Sequence, residues 1–118
     1  SEPVFDLAYD RSGGLWATTG GGQLLRLDAA TGAILERFGD SLTQSLAVKP
    51  GTDQIYVSSG DGIEIFDTVT RTFRHFSNVR VDDLAFADDG TLWATTWPAR
   101  GTVVTFDSRG RAQAQVAI

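Results

Sequence analysis

The chain contains neither cysteine nor methionine. Without cysteine it cannot form disulfides, use a thiol as a nucleophile or bind a metal through thiolates, and its redox compartment stays undetermined. Without methionine it lacks an initiator residue, so we expect a processed, excised or engineered piece of a longer protein. A single histidine, His75, is the only imidazole for acid–base chemistry.

Clusters of basic residues and long apolar runs are also missing. The net charge is −5, and the 10 Lys and Arg residues are scattered along the 118-residue chain. Nucleic-acid binding needs clustered cations, so we expect no nucleic-acid partner. No run approaches the ~18 apolar residues of a membrane helix, so we expect no membrane partner either. The length predicts a single domain.

What the chain does contain is an internal repeat. Residues 14–19 read Gly-Leu-Trp-Ala-Thr-Thr and residues 91–96 read Thr-Leu-Trp-Ala-Thr-Thr, while residues 54–59, Gln-Ile-Tyr-Val-Ser-Ser, are a weaker copy. Each copy follows a short apolar run and a turn signal rich in Gly, Asp or Pro, which is typical of a hairpin. Each also precedes a second Gly-containing break and a further apolar run. The spacing is therefore that of repeated short strands.

A third predicted strand ends in every copy on an apolar residue followed by aspartate, at Asp28, Asp67 and Asp107. The carboxylate can accept hydrogen bonds from turn amides just downstream. The turn then closes on Gly32 and Gly110 in the outer copies. The middle copy has Arg71 at that position, where we expect strain or a different turn.

Four short antiparallel strands at a period near 39 residues predict an all-β chain made of three β-propeller blades. The blades span approximately residues 1–40, 41–79 and 80–118. A β-sandwich of about twelve strands is the rival interpretation, but a sandwich has no reason to repeat its sequence at blade length. Helix is disfavoured, because Thr31-Gly32 interrupts the one plausible helical stretch, residues 28–36.

The third copy carries the clearest family pattern. Leu84-Ala85, then Asp-Asp-Gly-Thr-Leu-Trp-Ala-Thr-Thr at 88–96, Gly-Thr-Val-Val-Thr-Phe-Asp at 101–107 and a Gly turn resemble the NHL, streptogramin-lyase-like and two-component-regulator propeller repeats. The resemblance covers essentially the whole chain. It is specific for the blade and weak for function, because these families bind proteins, nucleic acids or small molecules, and a few are enzymes. The resemblance to periplasmic sensor propellers implies a periplasmic or extracellular location.

Three blades do not close a ring, since propellers use at least four. Each blade packs an aromatic row against its neighbour, so two apolar flanks need cover. The chain is then either part of a ring completed by further blades of a longer parent chain, or half of an oligomeric ring. Self-association of two identical chains would give six blades around a two-fold axis.

Candidate binding residues lie on the rim where the connections between second and third strands emerge with the linkers between blades. Trp97 and Arg100 occupy the one such connection without a short Gly counterpart, and Trp and Arg are frequent binding anchors. Asp82 and Asp83 stand at the mouth end of an inner strand. We expect these four residues to bind the ligand.

No catalytic residue, metal or cofactor is predicted. His75 falls in a predicted outermost strand without a pocket, so it is interpreted as structural. Gluconolactonase-type propellers bind a divalent cation through Glu, Asn and Asp at positions like those of Asp6, Ser45 and Asp83, but no Glu or Asn stands there. The repeated aromatic position, occupied by Trp16, Tyr56 and Trp93, is interpreted as inter-blade packing.

The leading functional hypothesis is a non-enzymatic recognition module that binds a protein, peptide or glycan on the channel-mouth face. One alternative is a fragment of a metal-dependent lactonase or lyase-type propeller enzyme. The other is a designed or excised structural segment that assembles into a full ring without a ligand.

Overall fold

The chain folds as antiparallel β-structure. A computed structural model describes residues 3–97 and 101–117, and across these residues it has eleven strands and no helix. In chain order the strands are β1 (Asp6–Tyr9), β2 (Leu15–Thr18), β3 (Gly22–Leu27), β4 (Ile34–Val48), β5 (Gln54–Ser59), β6 (Gly62–Asp67), β7 (Thr72–Ser77), β8 (Val81–Phe86), β9 (Leu92–Thr96), β10 (Thr102–Phe106) and β11 (Ala112–Ala117). The all-β prediction is confirmed. None of the described segments is a helix that could span a membrane.

The strands pair with their chain neighbours in two sheets, one of seven strands from β1 to β7 and one of four from β8 to β11. The long strand β4 serves as two, because its residues 34–38 pair with β3 and its residues 46–48 pair with β5. The pairing therefore divides into three groups of four strands. Group 1 is β1 to β3 with residues 34–38, group 2 is residues 42–48 with β5 to β7, and group 3 is β8 to β11.

β4 runs without interruption across the predicted boundary at residues 40 and 41. Within it Gly39 has a φ of +72° and Ser41 a φ of +54°, both in the left-handed region. Residues in this conformation change the direction of a strand, as a β-bulge does. Leu42, just beyond, pairs with Gly22 of group 1 and with Ser59 of group 2. The chain thus passes from one group to the next without leaving the sheet.

The groups are held together by two hydrophobic clusters. The first core cluster lies between groups 1 and 2 and consists of Trp16, Leu24, Leu42, Leu46, Ile55, Val57 and Phe66. The second core cluster lies between groups 2 and 3 and consists of Tyr56, Ile63, Ile65, Phe76, Val81, Leu84, Leu92, Ala94, Val104 and Phe106. Side chains alternate between the two faces of a strand, so group 2 contributes one face to each cluster. The interior is therefore built between groups of strands.

Phe66 is fully buried at the centre of the first core cluster. Its ring centroid lies 5.4 Å from that of Trp16, 4.8 Å from that of Phe38 and 4.8 Å from that of Phe73. Tilted aromatic pairs at these distances add to the stabilisation that burial provides. Groups 1 and 2 therefore meet around this one ring.

The repeated aspartates accept hydrogen bonds from turn amides, which confirms the prediction. The Oδ1 atoms of Asp28 and Asp67 each accept from the amides two and three residues downstream, at 2.8 and 3.0 Å. That of Asp107 accepts from the amides two and four residues downstream, at 2.9 and 3.0 Å. Backbone hydrogen bonds of this kind hold the pKa of all three carboxyls below the usual range.

Arg71 adopts the same left-handed conformation as its glycine counterparts, with a φ of +63° against +76° for Gly32 and +80° for Gly110. The middle copy therefore keeps the turn and accepts strain, the first of the two predicted outcomes. Arg71 forms an ion pair with Glu36, and its guanidinium lies 5.0 Å from the centre of the Phe38 ring. These contacts join the turn of group 2 to group 1.

We expect Arg71→Gly to be more stable than Arg71→Ala by about 1 kcal/mol, because both lose the side-chain contacts but only glycine relieves the left-handed strain. The free energy of unfolding in urea measures the difference. At Ala30, whose φ is not in the left-handed region, the Ala30→Gly variant should instead be less stable than the parent. Equal stability of the two Arg71 variants would show that the position is unstrained.

Phe66→Ala is expected to destabilise the protein by about 3–5 kcal/mol, because it leaves a cavity among three other rings. Phe66→Leu should cost less, about 1–2 kcal/mol, since most of the volume stays filled. Val69→Ala, an exposed position in the neighbouring turn, should change stability by less than about 0.5 kcal/mol. A similarly small loss for Phe66→Ala, measured by urea denaturation, would contradict the central role of this ring.

Candidate functional site

Connections from all three groups converge on one pocket of about 220 Å³, here called the rim pocket. Group 1 contributes the β2–β3 turn, group 2 the β5–β6 turn, and group 3 the segment after β9 together with the residues that lead into β8. The lining residues are Gly20, Gly21, Gln44, Ser59, Gly60, Arg80, Val81, Asp82 and Trp97. The structure therefore brings the predicted rim connections together at one end of the strands.

Glycines in the two short turns leave the rim pocket open. A Cβ at Gly60 would meet no atom within 4 Å apart from its chain neighbours, and Gly60 has no left-handed φ. Gly20 is different, because a Cβ there would collide with the ring of Phe5. Gly20 also has a left-handed φ of +69°, so both its backbone and its packing favour glycine, whereas neither requires glycine at Gly60.

Trp97 stands at the edge of the rim pocket with 45% of its surface exposed. Its backbone N–H donates to the carbonyl oxygen of Arg80 at 3.1 Å, which ties the segment after β9 to the residues leading into β8. Trp97 and half-buried Asp82 consequently line the same pocket. The predicted binding residue Arg100 lies outside the described residues.

Asp83, the fourth predicted residue, faces a neighbouring depression that it shares with Asp82, Phe5, Asp6, Gln44 and Ser45. The hydroxyl of Ser45 donates to Asp83 Oδ1 at 2.8 Å and accepts the N–H of Leu84 at 3.1 Å. Asp6 Oδ2 accepts the N–H of Leu46 at 3.3 Å. Asp6, Ser45 and Asp83, which we call the inner polar row, therefore link the first strands of the three groups.

The inner polar row brings two carboxylates to one hydroxyl. Across residues 3–97 and 101–117, no group of three or more His, Asp or Glu side chains is placed to hold a metal ion. Asp6 and Ser45 instead accept backbone N–H groups of the next group of strands. At both positions the side chain thus satisfies a backbone N–H of a different group of strands.

His75 lies in β7, at the edge of the seven-stranded sheet, beside a second depression that also contains Gly60 and Arg80. Its Nδ1 is 2.5 Å from Glu64 Oε2, and its Nε2 is 2.7 Å from Asn78 Oδ1. Both neighbours accept hydrogen bonds, so both ring nitrogens donate, as in the imidazolium. The hydrogen bonds to Glu64 and then Asn78 raise the pKa of His75.

Sequence reasoning placed His75 on an outer strand and missed its partners. Glu64 lies directly opposite His75 in the register of β6 and β7, so an alignment of this hairpin would have found the pair. Asn78 follows β7 and reaches back to the imidazole. The contact depends on how the chain leaves the strand, which the sequence pattern does not encode.

We expect the pKa of His75, measured by NMR titration of its imidazole, to lie above 6.5 and to fall in Glu64→Gln, because the variant removes the charged acceptor. Since the folded-state pKa is raised, the stabilisation is complete below the ordinary value of 6.5 and is lost as the pH rises through the raised value. Asp61→Asn, which removes a smaller charge interaction, should lower the pKa less. A larger effect of Asp61→Asn than of Glu64→Gln would contradict the assignment.

The repeated aromatic position behaves unequally in the three groups. Trp16 is 2% exposed and Tyr56 is 4% exposed, each in a core cluster between groups. Trp93 is 42% exposed. Trp16 and Tyr56 therefore pack between neighbouring groups of strands, whereas Trp93 has no group of strands against it among the described residues.

Comparison with known proteins adds no family. No protein-family model matches the chain, and no curated protein matches it significantly. The resemblance to propeller repeats is therefore a hypothesis that rests on the residues of the repeat, and the case for a function rests on the geometry of the rim pocket.

Proposed function

We propose that the chain is a segment of a β-propeller and acts as a non-enzymatic recognition module, which binds a protein, peptide or glycan ligand at the rim pocket. The observation that carries the proposal is the convergence of connections from all three groups of strands on one pocket beside an exposed tryptophan. Binding residues commonly lie on loops that a rigid scaffold positions.

Three features support the propeller. The groups are four-stranded and antiparallel, and they follow one another along the chain. Consecutive groups pack face to face through the two core clusters. The inner polar row links the first strand of each group to that of the next. Radially arranged blades with their innermost strands around one axis account for all three features.

The size of the rim pocket favours recognition of part of a larger ligand. Pockets that enclose a drug-sized molecule span about 300–1,000 Å³, whereas the rim pocket has about 220 Å³. It has room for one side chain or one sugar ring. A polymer that inserts a single group while resting on the surrounding rim fits this volume better than an enclosed small-molecule substrate.

The lining groups suit such a ligand. The exposed ring of Trp97 offers an apolar surface, and Arg80 and Asp82 offer charges of opposite sign beside it. Gln44 and Ser59 add amide and hydroxyl groups. Aromatic and arginine side chains are frequent anchors at interfaces, and a few convergent polar groups give orientation and specificity.

Asp6 and Asp83 both approach the hydroxyl of Ser45. This observation favours a second candidate function, that of a fragment of a metal-dependent lactonase or lyase. Calorimetric titration with Ca²⁺ separates the two proposals. A binding heat that Asp83→Asn abolishes would favour the enzyme fragment. Absence of Ca²⁺ binding together with a peptide or glycan ligand would favour the recognition module, and absence of both would favour a structural segment that only assembles.

The rim pocket is tested by probing a peptide array and a glycan array with the labelled chain and titrating the strongest hit by calorimetry. We expect Trp97→Ala to weaken binding at least about 30-fold, the effect typical of an anchor residue. Gly60→Leu should also weaken it, because Gly60 lines the rim pocket and a Cβ there meets no atom within 4 Å apart from its chain neighbours.

Two matched variants serve as controls. Val69→Ala removes an exposed apolar side chain, and Ala30→Leu adds one, both in turns at the other end of the strands from the rim pocket. Neither should change binding. Affinity that is unaltered in both Trp97→Ala and Gly60→Leu would show that the ligand binds elsewhere.

A further inference from the structure

Two faces of the protein expose apolar side chains that equivalent positions bury. The Trp93 face of group 3, formed by Ala85, Trp93, Val103 and Val116, lies on the side away from the second core cluster. The Tyr9 face of group 1, formed by Leu7, Tyr9, Leu15 and Leu27, lies on the side away from the first core cluster. Trp93 is 42% exposed and Tyr9 is 62% exposed. Apolar patches of this kind mark interaction surfaces.

The interior of the protein shows what such faces pack against. Tyr56 of group 2 lies against Phe86 of group 3, with ring centroids 4.9 Å apart and planes at 83°. In the repeat, Trp93 is the counterpart of Tyr56 and Tyr9 is the counterpart of Phe86. The Trp93 face is thus the kind of surface that packs on a following group, and the Tyr9 face is the kind of surface on which a preceding group packs.

The inner polar row indicates the same direction of association. Asp6 accepts the N–H of Leu46, and Ser45 accepts the N–H of Leu84. If a following group continued this pattern, Asp83 would accept the N–H of the residue that corresponds to Leu46 and Leu84. In the sequence of group 1 that residue is Leu7. The hydrogen bonds of Asp83 with described residues use its Oδ1 and its own N–H. Its Oδ2 has no hydrogen-bond partner among residues 3–97 and 101–117.

We propose that the chain associates head to tail with a second copy of itself, the Trp93 face of one copy packing on the Tyr9 face of the other. Asp83 of each copy then accepts the N–H of Leu7 of the other. That N–H also donates to Asp6 Oδ1 of its own chain, just as the N–H of Leu84 donates to both Ser45 and Asp83. A head-to-tail contact gives a closed ring where its rotation closes. Propellers typically have about four to eight blades, and two copies give six groups of strands, whereas three copies would give nine.

This inference rests on the propeller geometry of the proposed function but not on the rim pocket. Sedimentation velocity should show a particle of twice the chain mass of 12.7 kDa. Trp93→Asp and Tyr9→Asp should each raise the dissociation constant at least about 100-fold, because each buries an unpaired charge in an apolar contact. Both positions are exposed in the single chain, so the variants should fold, which circular dichroism checks.

Mixing the two variants tests the pairing of the faces. The Tyr9→Asp chain keeps an intact Trp93 face, and the Trp93→Asp chain keeps an intact Tyr9 face. An equimolar mixture should therefore form a 1:1 dimer at concentrations at which each variant alone is monomeric. If either face paired with a second copy of itself, one of the two variants would remain dimeric on its own and the inference would be overturned.

Val69→Asp, which places the same charge at an exposed apolar position in a turn, should leave the dimer intact. If the chain without substitutions stays monomeric up to its solubility limit, the inference is contradicted. Other sheets would then have to cover the two faces. Growth beyond two copies would contradict closure of the ring. Because ligand binding to the rim pocket is measured separately, loss of association with binding retained would defeat this inference alone.

Discussion

The structure depends on the packing of one four-stranded group against the next. A sheet of four short strands has two faces and cannot bury either of them alone, so it is stable only where another sheet covers it. Group 2 is covered on both faces, by group 1 around Phe66 and by group 3 around Tyr56. This stacking also aligns the strand ends of the three groups. The rim pocket exists because that alignment brings three sets of connections to the same place.

Local chemistry made much of the fold predictable from the sequence. The repeated Leu-Trp or Ile-Tyr pairs mark the second strand of each group, and glycine-rich turns separate the strands. Asp28, Asp67 and Asp107 mark turns because a carboxylate that accepts backbone N–H groups a few residues ahead acts within one turn. Strain at Arg71 was predictable for the same reason, since its counterparts in the repeat are glycines. Each of these features depends on residues close together in the chain.

Features set by tertiary contact were not predictable in the same way. Trp16 and Trp93 share the sequence Leu-Trp-Ala-Thr-Thr, yet one is buried and the other exposed, because only Trp16 has a group of strands against it. The uninterrupted course of β4 depends on left-handed backbone at Gly39 and Ser41, and serine gives no sequence signal for that conformation. Of the candidate binding residues, Trp97 and Asp82 share the rim pocket. Arg80 also lines this pocket, and its carbonyl oxygen accepts the backbone N–H of Trp97.

The two junctions between groups differ in kind. β4 carries the chain from group 1 into group 2 inside one continuous hydrogen-bonded sheet, whereas group 3 forms a sheet of its own and follows residues 78–80, which belong to no strand. Opening of the first junction must break backbone pairing as well as side-chain contacts, but opening of the second breaks chiefly side-chain contacts. Cooperative units of unequal stability are common in proteins. A subglobal opening that exposes the amides of β8 to β11 to exchange would therefore leave the remaining seven strands paired.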